Sequence, residues 1–306
     1  MFLFSPYKVM NLQIKVLCGL VRFFPINSIR SLTSLGNKLA CTYTGVIPFM
    51  RDNFTSALGT PDHLAEEMAK NYYKSSMRGC IAETVLAKAS PARVKQFRSK
   101  LRLISTDGAE LESIDVANQN IVVAVFHFSS MFNLMWSIDK LLPRDMPLHC
   151  IASTDLRLWR ETQMWRRFAQ TREAYLWSLE RPGDLKECLK MCRKTPSIVV
   201  CYSDLPGKFG PTQECRFMGR QARLNAGFVR LRKILKGRLI VGYARGSVFD
   251  KLPAEFTLLR DYPAGENVYM PDIADLLGRE VAKYPLDWRN WHMFMSYFQP
   301  SQLARK

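Results

Sequence analysis

Residues 121–130 read IVVAVFHFSS. The first six are a continuous apolar run, rich in Val and Ile and of strand length. Such a run suits a strand buried on both faces, as in a parallel sheet with helices on either side. His127 follows directly, then Ser129 and Ser130, and a helical pattern begins. In open α/β sheets the carboxyl ends of strands are where loops and helix N-termini converge to form sites. The backbone N–H groups there can stabilise a developing oxyanion.

Similar short runs recur at 148–152 (LHCIA), 197–202 (SIVVCY) and 239–244 (LIVGYA). Helical patterns lie between them at 130–142, 155–169, 183–193 and 221–236. This alternation predicts an α/β fold, with a central mixed, mainly parallel sheet flanked by helices. Residues 8–101 read instead as consecutive helices, with breaks near Pro25, Pro48, Pro61 and Pro91. The longest opens at Thr60-Pro61-Asp62 and carries a stripe through Met68, Tyr72, Met77 and Ile81. The expected organisation is an N-terminal helical extension over 1–101 and an α/β domain over 102–306, forming one integrated unit.

The 306 residues are 47% apolar, enough for a sizeable core. No stretch reaches the roughly 18–20 uninterrupted apolar residues of a spanning helix. The opening segment is broken by Pro6, Lys8, Gln13, Lys15 and Arg22, and no cleavage pattern follows it. Within 9–24, Leu12, Val16, Leu20, Phe23 and Phe24 recur at helical spacing, with Lys8, Lys15 and Arg22 on one flank. The pattern fits a helix lying in a membrane interface or a core helix. The eight cysteines contain no C-x-x-C pair, and the chain reads as a reduced protein with no structural disulfide or metal. Cys188 and Cys192 are four apart in a helical pattern. They read as small buried apolar residues, or as a pair that could share a metal.

Four histidines are present. His63 stands at a helix start, His149 within an apolar strand, and His292 in a Trp-rich C-terminal segment. His127 alone occupies a strand's carboxyl end. The run at 197–202 ends at Ser203-Asp204, so Asp204 stands at an equivalent place. A carboxylate there can orient an imidazole and stabilise its protonated form, or simply cap the following turn. The next loop is LPGKFGP (205–211), followed by ECRFMGRQARLNAG (214–227).

Taken in order, these pieces resemble the lysophospholipid acyltransferase superfamily, in particular the bacterial lipid A late acyltransferases and related mannoside acyltransferases. They are the buried strand ending in His127, Asp204 ending a later strand, Gly210, and the Phe217, Gly219 and Ala222 of RFMGRQARLNAG. YPLDWRNW (284–291) is similar to the family's terminal Pro-x-x-Trp segment, and Arg51 and Asn53 after an N-terminal helix pair also match. The likeness extends over nearly the whole length. It implies transfer of a fatty acyl chain from an acyl-carrier-protein or coenzyme A thioester to a hydroxyl of a glycolipid, lysolipid or related acceptor. His127 would be the general base, with the thioester as co-substrate and no bound cofactor. It also implies a peripheral position on the cytoplasmic face of a bacterial inner membrane. One departure matters. The family places a carboxylate five residues after the histidine, and this chain has Phe132 there. Asp204 is then the expected partner, with Asn133 as a neutral alternative. An inactive member that binds acyl carrier or lipid is the competing expectation.

Lys and Arg number 44 against 27 acids, a formal charge of +17. No acid occurs between Glu214 and Asp250, an interval holding Arg216, Arg220, Arg223, Arg230, Arg232, Lys233, Lys236 and Arg238. A second acid-free run spans Lys88 to Arg102, and Arg157, Arg160, Arg166, Arg167 and Arg172 form a third group. Such faces are either solvated or attract an acidic partner: a carrier protein or an anionic membrane surface. No helix-turn-helix, zinc-finger or RNA-binding signature supports a nucleic-acid partner. The expected substrate-binding positions are Ser129, Ser130, Arg157, Arg160, Gly210, Arg216, Gly219, Arg230 and Arg232. MFNLMW (131–136) and WHMFMSYF (291–298) fit either core packing or an acyl-chain groove.

Overall fold

The computed structural model describes residues 46–298, apart from 89, 115, 117, 129–130, 153–164, 166–167, 170, 182 and 247–253. The helical pattern at 9–24 and most of that at 155–169 lie outside these residues.

Three helices lead in: α1 (Val46–Leu58), α2 (Asp62–Lys88) and α3 (Pro91–Ser99). Pro48 lies in the first turn of α1, where a missing N–H costs nothing. Arg51 and Asn53 lie inside α1, and the residues before it that would hold a helix pair lie outside the described residues. Then come β1 (Arg102–Ser105), β2 (Ile121–Phe126), α4 (Met131–Leu141), β3 (Leu148–Ala152), β4 (Ala174–Ser178), α5 (Asp184–Lys194) and β5 (Ile198–Tyr202). The chain continues through β6 (Thr212–Phe217), β7 (Arg220–Asn225), α6 (Gly227–Leu235), β8 (Arg238–Arg245), β9 (Glu255–Tyr262) and α7 (Met270–Lys283). A 3₁₀ segment, Arg289–Tyr297, follows.

The main sheet has seven strands in the order β1-β9-β8-β2-β5-β3-β4. The five strands from β8 to β4 are mutually parallel. β9 runs antiparallel to β8, and β1 runs parallel to β9. The sheet is thus mixed and mainly parallel, with helices on both faces. Each face has its own core. Val122, Ala124 and Phe126 of β2 point into one, with residues of α1, α2, α5, α6, α7 and the 3₁₀ segment. Ile121, Val123 and Val125 point into the other, with α3 and α4. That two-sided burial is why β2 is apolar without alternation.

The helical pattern read at 221–236 is corrected at its first half. Residues 220–225 form β7, paired antiparallel with β6, and only Gly227–Leu235 is helical. Within RQARLN, exposed Gln221 and half-buried Arg223 alternate with buried Ala222 and Leu224, a strand's period of two. Met218 and Gly219, both at positive φ (48° and 77°), form the hairpin's two-residue turn.

The helical N-terminal region shares its core with the α/β part. Phe54 of α1 packs on Trp291 with ring centroids 4.5 Å apart, and the Asn53 amide donates to the Trp291 carbonyl at 2.9 Å. The two aromatic and Met-rich segments supply core residues: Leu134, Met135 and Trp136 on one face, and Trp291, Phe294 and Tyr297 on the other. Among the described residues no helix is long and apolar enough to cross a membrane.

Candidate functional site

β2 and β5 are hydrogen-bonded neighbours whose last paired residues are Val125 and Tyr202. Pairing persists one step further, since Ser203 N–H donates to the Val125 carbonyl at 2.9 Å. His127 and Asp204 each stand two residues past that last pair, so parallel registry delivers both to one edge of the sheet. There His127 Nδ1 lies 2.5 Å from Asp204 Oδ1.

The protonation pattern follows from the partners. Asp204 is fully buried. Its Oδ2 accepts the His127 backbone N–H at 2.8 Å and the Trp288 indole N–H at 2.9 Å. Among the described residues both partners of Oδ2 are N–H donors, and the ring supplies a third proton, from Nδ1 to Oδ1. The neutral imidazole then keeps its lone pair on Nε2, on which no hydrogen bond falls among the described residues. The Asn290 amide nitrogen is 3.1 Å from Nδ1; one of its two hydrogens goes to the Asp204 carbonyl, 2.8 Å away, and Nδ1, already giving its own proton to Asp204 Oδ1 at 2.5 Å, does not accept the other. Tyr202 stacks on the imidazole at 3.5 Å and 13°. The His127 side chain is 16% exposed while that of Asp204 is sealed, so the dyad opens outward only through the ring. Chemically this is an oriented imidazole with a free basic nitrogen, the arrangement a general base requires.

Sequence reasoning did not find the C-terminal contributors. The Trp288 indole, the Asn290 amide and the Tyr297 hydroxyl (2.6 Å to the Asp204 carbonyl) all converge on Asp204. Arg289 N–H also donates to the His127 carbonyl at 2.6 Å. Burial, and then the nearby Asp204 charge, pushes the Tyr297 phenol well up, so it remains a donor. The available signal was an Asn between two Trp residues in WRNW. It carries no indication of its partner, because the contacts span 84 to 93 residues.

Several expected site positions have other employment. Asn133 is buried in α4 and donates its amide to the Gly246 carbonyl at 2.6 Å; the carboxylate partner of His127 is Asp204. Arg232 is corrected outright. It is 5% exposed, and its guanidinium donates to the carbonyls of Glu266 and Pro263, both at 2.6 Å. A residue that ties a loop to α6 in this way is a structural strut, because both of its terminal guanidinium nitrogens already have acceptors and little of it is open to a ligand. Arg232→Met is therefore expected to lower unfolding stability by about 2–4 kcal/mol, for loss of hydrogen bonds from a buried charged donor to two backbone carbonyls. Urea denaturation measures it, and a change below about 0.5 kcal/mol, the usual size for an inert surface site, would contradict the assignment.

Gly219 is accounted for by the hairpin turn. At Gly210 a Cβ would come 3.0 Å from Asn225 Nδ2. That close approach serves a local lattice: Asn225 N–H donates to the Leu205 carbonyl, its amide donates to the Phe209 carbonyl, and its Oδ1 accepts Gly227 N–H. The lattice fixes the loop that follows Asp204 to the start of α6. Arg216 and Arg230 are exposed. Ser129, Ser130, Arg157 and Arg160 lie outside the described residues. His63 is exposed, and His292 Nδ1 lies 3.1 Å from the Arg289 carbonyl.

One group among the described residues has metal-ligand character. The ligand atoms of His149, Cys188 and Cys192 lie within 4.8 Å of one another, and all three residues are buried. The proton placement works against coordination. Trp177 donates its indole N–H to His149 Nδ1 at 2.9 Å, so the neutral ring carries its own proton on Nε2. A ligating nitrogen needs the opposite arrangement, with its lone pair on the metal and the other nitrogen as donor. We read the group as a buried thiol–imidazole contact. Sharing of one proton between the sulfurs lowers the Cys192 thiol and raises that of Cys188.

No protein-family model matches the chain, and no curated protein matches it.

Proposed function

We propose that the protein is an acyltransferase. His127 acts as general base, moving a fatty acyl chain from a carrier-protein or coenzyme A thioester to a hydroxyl of a glycolipid, lysolipid or related acceptor. The observation that carries this reading is the buried Asp204 carboxylate on Nδ1, which leaves Nε2 as the basic nitrogen. The resemblance in the order of strand, histidine, Phe-Gly-x-x-Ala stretch and terminal Trp segment supplies the reaction class.

The step balances within this set. The acceptor O–H gives its proton to Nε2 as its oxygen attacks the thioester carbonyl. The C–S bond then breaks, and the thiol leaves with the proton returned by the imidazolium. Asp204 steadies the positive ring between the two transfers. No bound cofactor enters. Asp204 within hydrogen-bond distance of the ring supports an active member despite Phe132 five residues after the histidine.

The net charge of +17 supports an acidic partner. The stripe and cations of 9–24 support peripheral attachment to the cytoplasmic face of a bacterial inner membrane. Arg216 and Arg230 are exposed on the hairpin and on α6, elements tied by Asn225 to the loop after Asp204. Reversing both to Glu is expected to raise KM for an acyl-carrier-protein thioester about five- to tenfold at low salt and to flatten its salt dependence, with kcat little changed. An unchanged KM would return both residues to the solvated surface.

The reading itself is tested with purified full chain. Dodecanoyl thioesters of carrier protein and of coenzyme A are offered with a lysophospholipid or an acylated disaccharide glycolipid, and thiol release and acylated product are followed by mass spectrometry. The expected result is acceptor-dependent release. Absence of any acylated product with both donors and both acceptors would overturn the reading.

A further inference from the structure

The carboxylate that serves His127 comes from a different strand, and a buried carboxylate on a loop can rotate. Its orientation has to be fixed by something other than the imidazole. Trp288 Nε1 and His127 N hold Oδ2 at 2.9 and 2.8 Å, which leaves Oδ1 to face Nδ1. The Asp204 carbonyl is held separately by Asn290 and Tyr297. The backbone of His127 is held by Arg289 N–H. The indole is itself wedged: Trp288 is fully buried and meets Trp291 edge-on at 5.0 Å and Phe217 at 5.8 Å. Trp291 in turn is fixed to α1 through Asn53 and Phe54.

Resting on the functional reading above, we infer that the segment from Trp288 to Tyr297 is the positioning element of the dyad. In this assignment the Trp288 indole selects the carboxylate rotamer that keeps the His127 proton on Nδ1. Trp288 acts through Asp204 and does not reach the reacting atoms. The segment thus makes a carboxylate recruited from β5 serve in place of one on the histidine's own helix, where Phe132 stands.

Trp288→Phe removes the N–H and preserves an aromatic ring among Phe217, Trp291 and Tyr297. One hydrogen bond to a charged acceptor corresponds to a loss of about ten- to a hundredfold in kcat, with KM within about twofold because no substrate contact is removed. A packing role alone would not move the proton. The decisive readout is therefore ¹⁵N NMR of the imidazole in the resting protein, which needs no substrate. The wild type is expected to show His127 as the Nδ1–H tautomer, and Trp288→Phe a mixture with the Nε2–H form. Tyr297→Phe, which leaves Asn290 on the same carbonyl, is the milder second variant and is expected to keep the tautomer while lowering kcat by less than Trp288→Phe. An unaltered tautomer in folded Trp288→Phe overturns the inference, as does a wild type already in the Nε2–H form. If no acyl transfer is found while Trp288→Phe shifts the tautomer, the functional reading falls and the positioning role stands.

Discussion

His127→Ala is expected to lower kcat for acyl transfer by about 10⁴-fold, the upper end of what a positioned general base contributes, while leaving thioester binding nearly unchanged. The magnitude follows from the site's composition. Among the described residues the imidazole is flanked by the stacked Tyr202 ring and the Asn290 amide, while the Trp288 indole and the His127 backbone N–H are donors to Asp204 behind it. The one carboxylate is sealed behind the ring. Removing the imidazole therefore takes away the basic nitrogen that faces an incoming hydroxyl, while the carboxylate behind it remains sealed. The ring is 16% exposed, so its removal opens Asp204 Oδ1 to water, which takes over the lost hydrogen bond, and the variant is expected to stay folded. Steady-state turnover with saturating donor measures the effect.

Asp204→Asn is expected to cost about 10³- to 10⁴-fold, through a proton in the wrong place. Two donors, His127 N–H and Trp288 Nε1–H, address the Oδ2 position. The asparagine carbonyl oxygen must go there, which turns its NH₂ toward His127 Nδ1. That nitrogen can then only accept, so the ring's proton moves to Nε2 and the base loses its lone pair. Thioester binding should change by much less than turnover, since the altered group is fully buried and touches no ligand. The same substitution in a dyad of purely structural meaning would lower stability and leave the residual activity of the folded fraction intact.

How much of this was legible in the sequence varies with the physics of each element. The strands at 121–126, 148–152, 198–202 and 238–245 announce themselves because two-sided burial makes them uniformly apolar. β4, at the sheet edge, is half-buried along AYLWS, and β1 has four residues, so neither produces a run. β9 mixes Glu255, Thr257, Arg260 and Asp261 into its length and reads as polar. β7 was lost to its neighbour. The apolar residues of 221–236 keep helical spacing across Ala226-Gly227, and nothing in RQARLN alone marks the hairpin turn that only Met218 and Gly219 reveal.

The pair at the site was legible for one reason. Each member ends an apolar run, and parallel strands bring equivalent ends together. Whether β2 and β5 were neighbours was not written locally, nor was the role of Trp288 and Asn290, whose partners are 84 and 86 residues away. Arg232 shows the opposite failure. Its place in a basic run suggested a ligand, but on α6 it is buried, and the Pro263 and Glu266 carbonyls take up its two terminal nitrogens. Charge counts mark a partner class, and only burial separates the arginines that can meet one from those that cannot.

The central claim is that His127 and Asp204 act as one catalytic unit. It is tested most directly by the double-mutant cycle in acyl transfer. If Asp204 works only through the imidazole, its substitution has nothing left to impair once the imidazole is gone. The account predicts that His127→Ala/Asp204→Asn turns over at the same rate as His127→Ala alone, within about threefold. Losses that multiply, taking the double variant about 10³-fold below the single one, would contradict it.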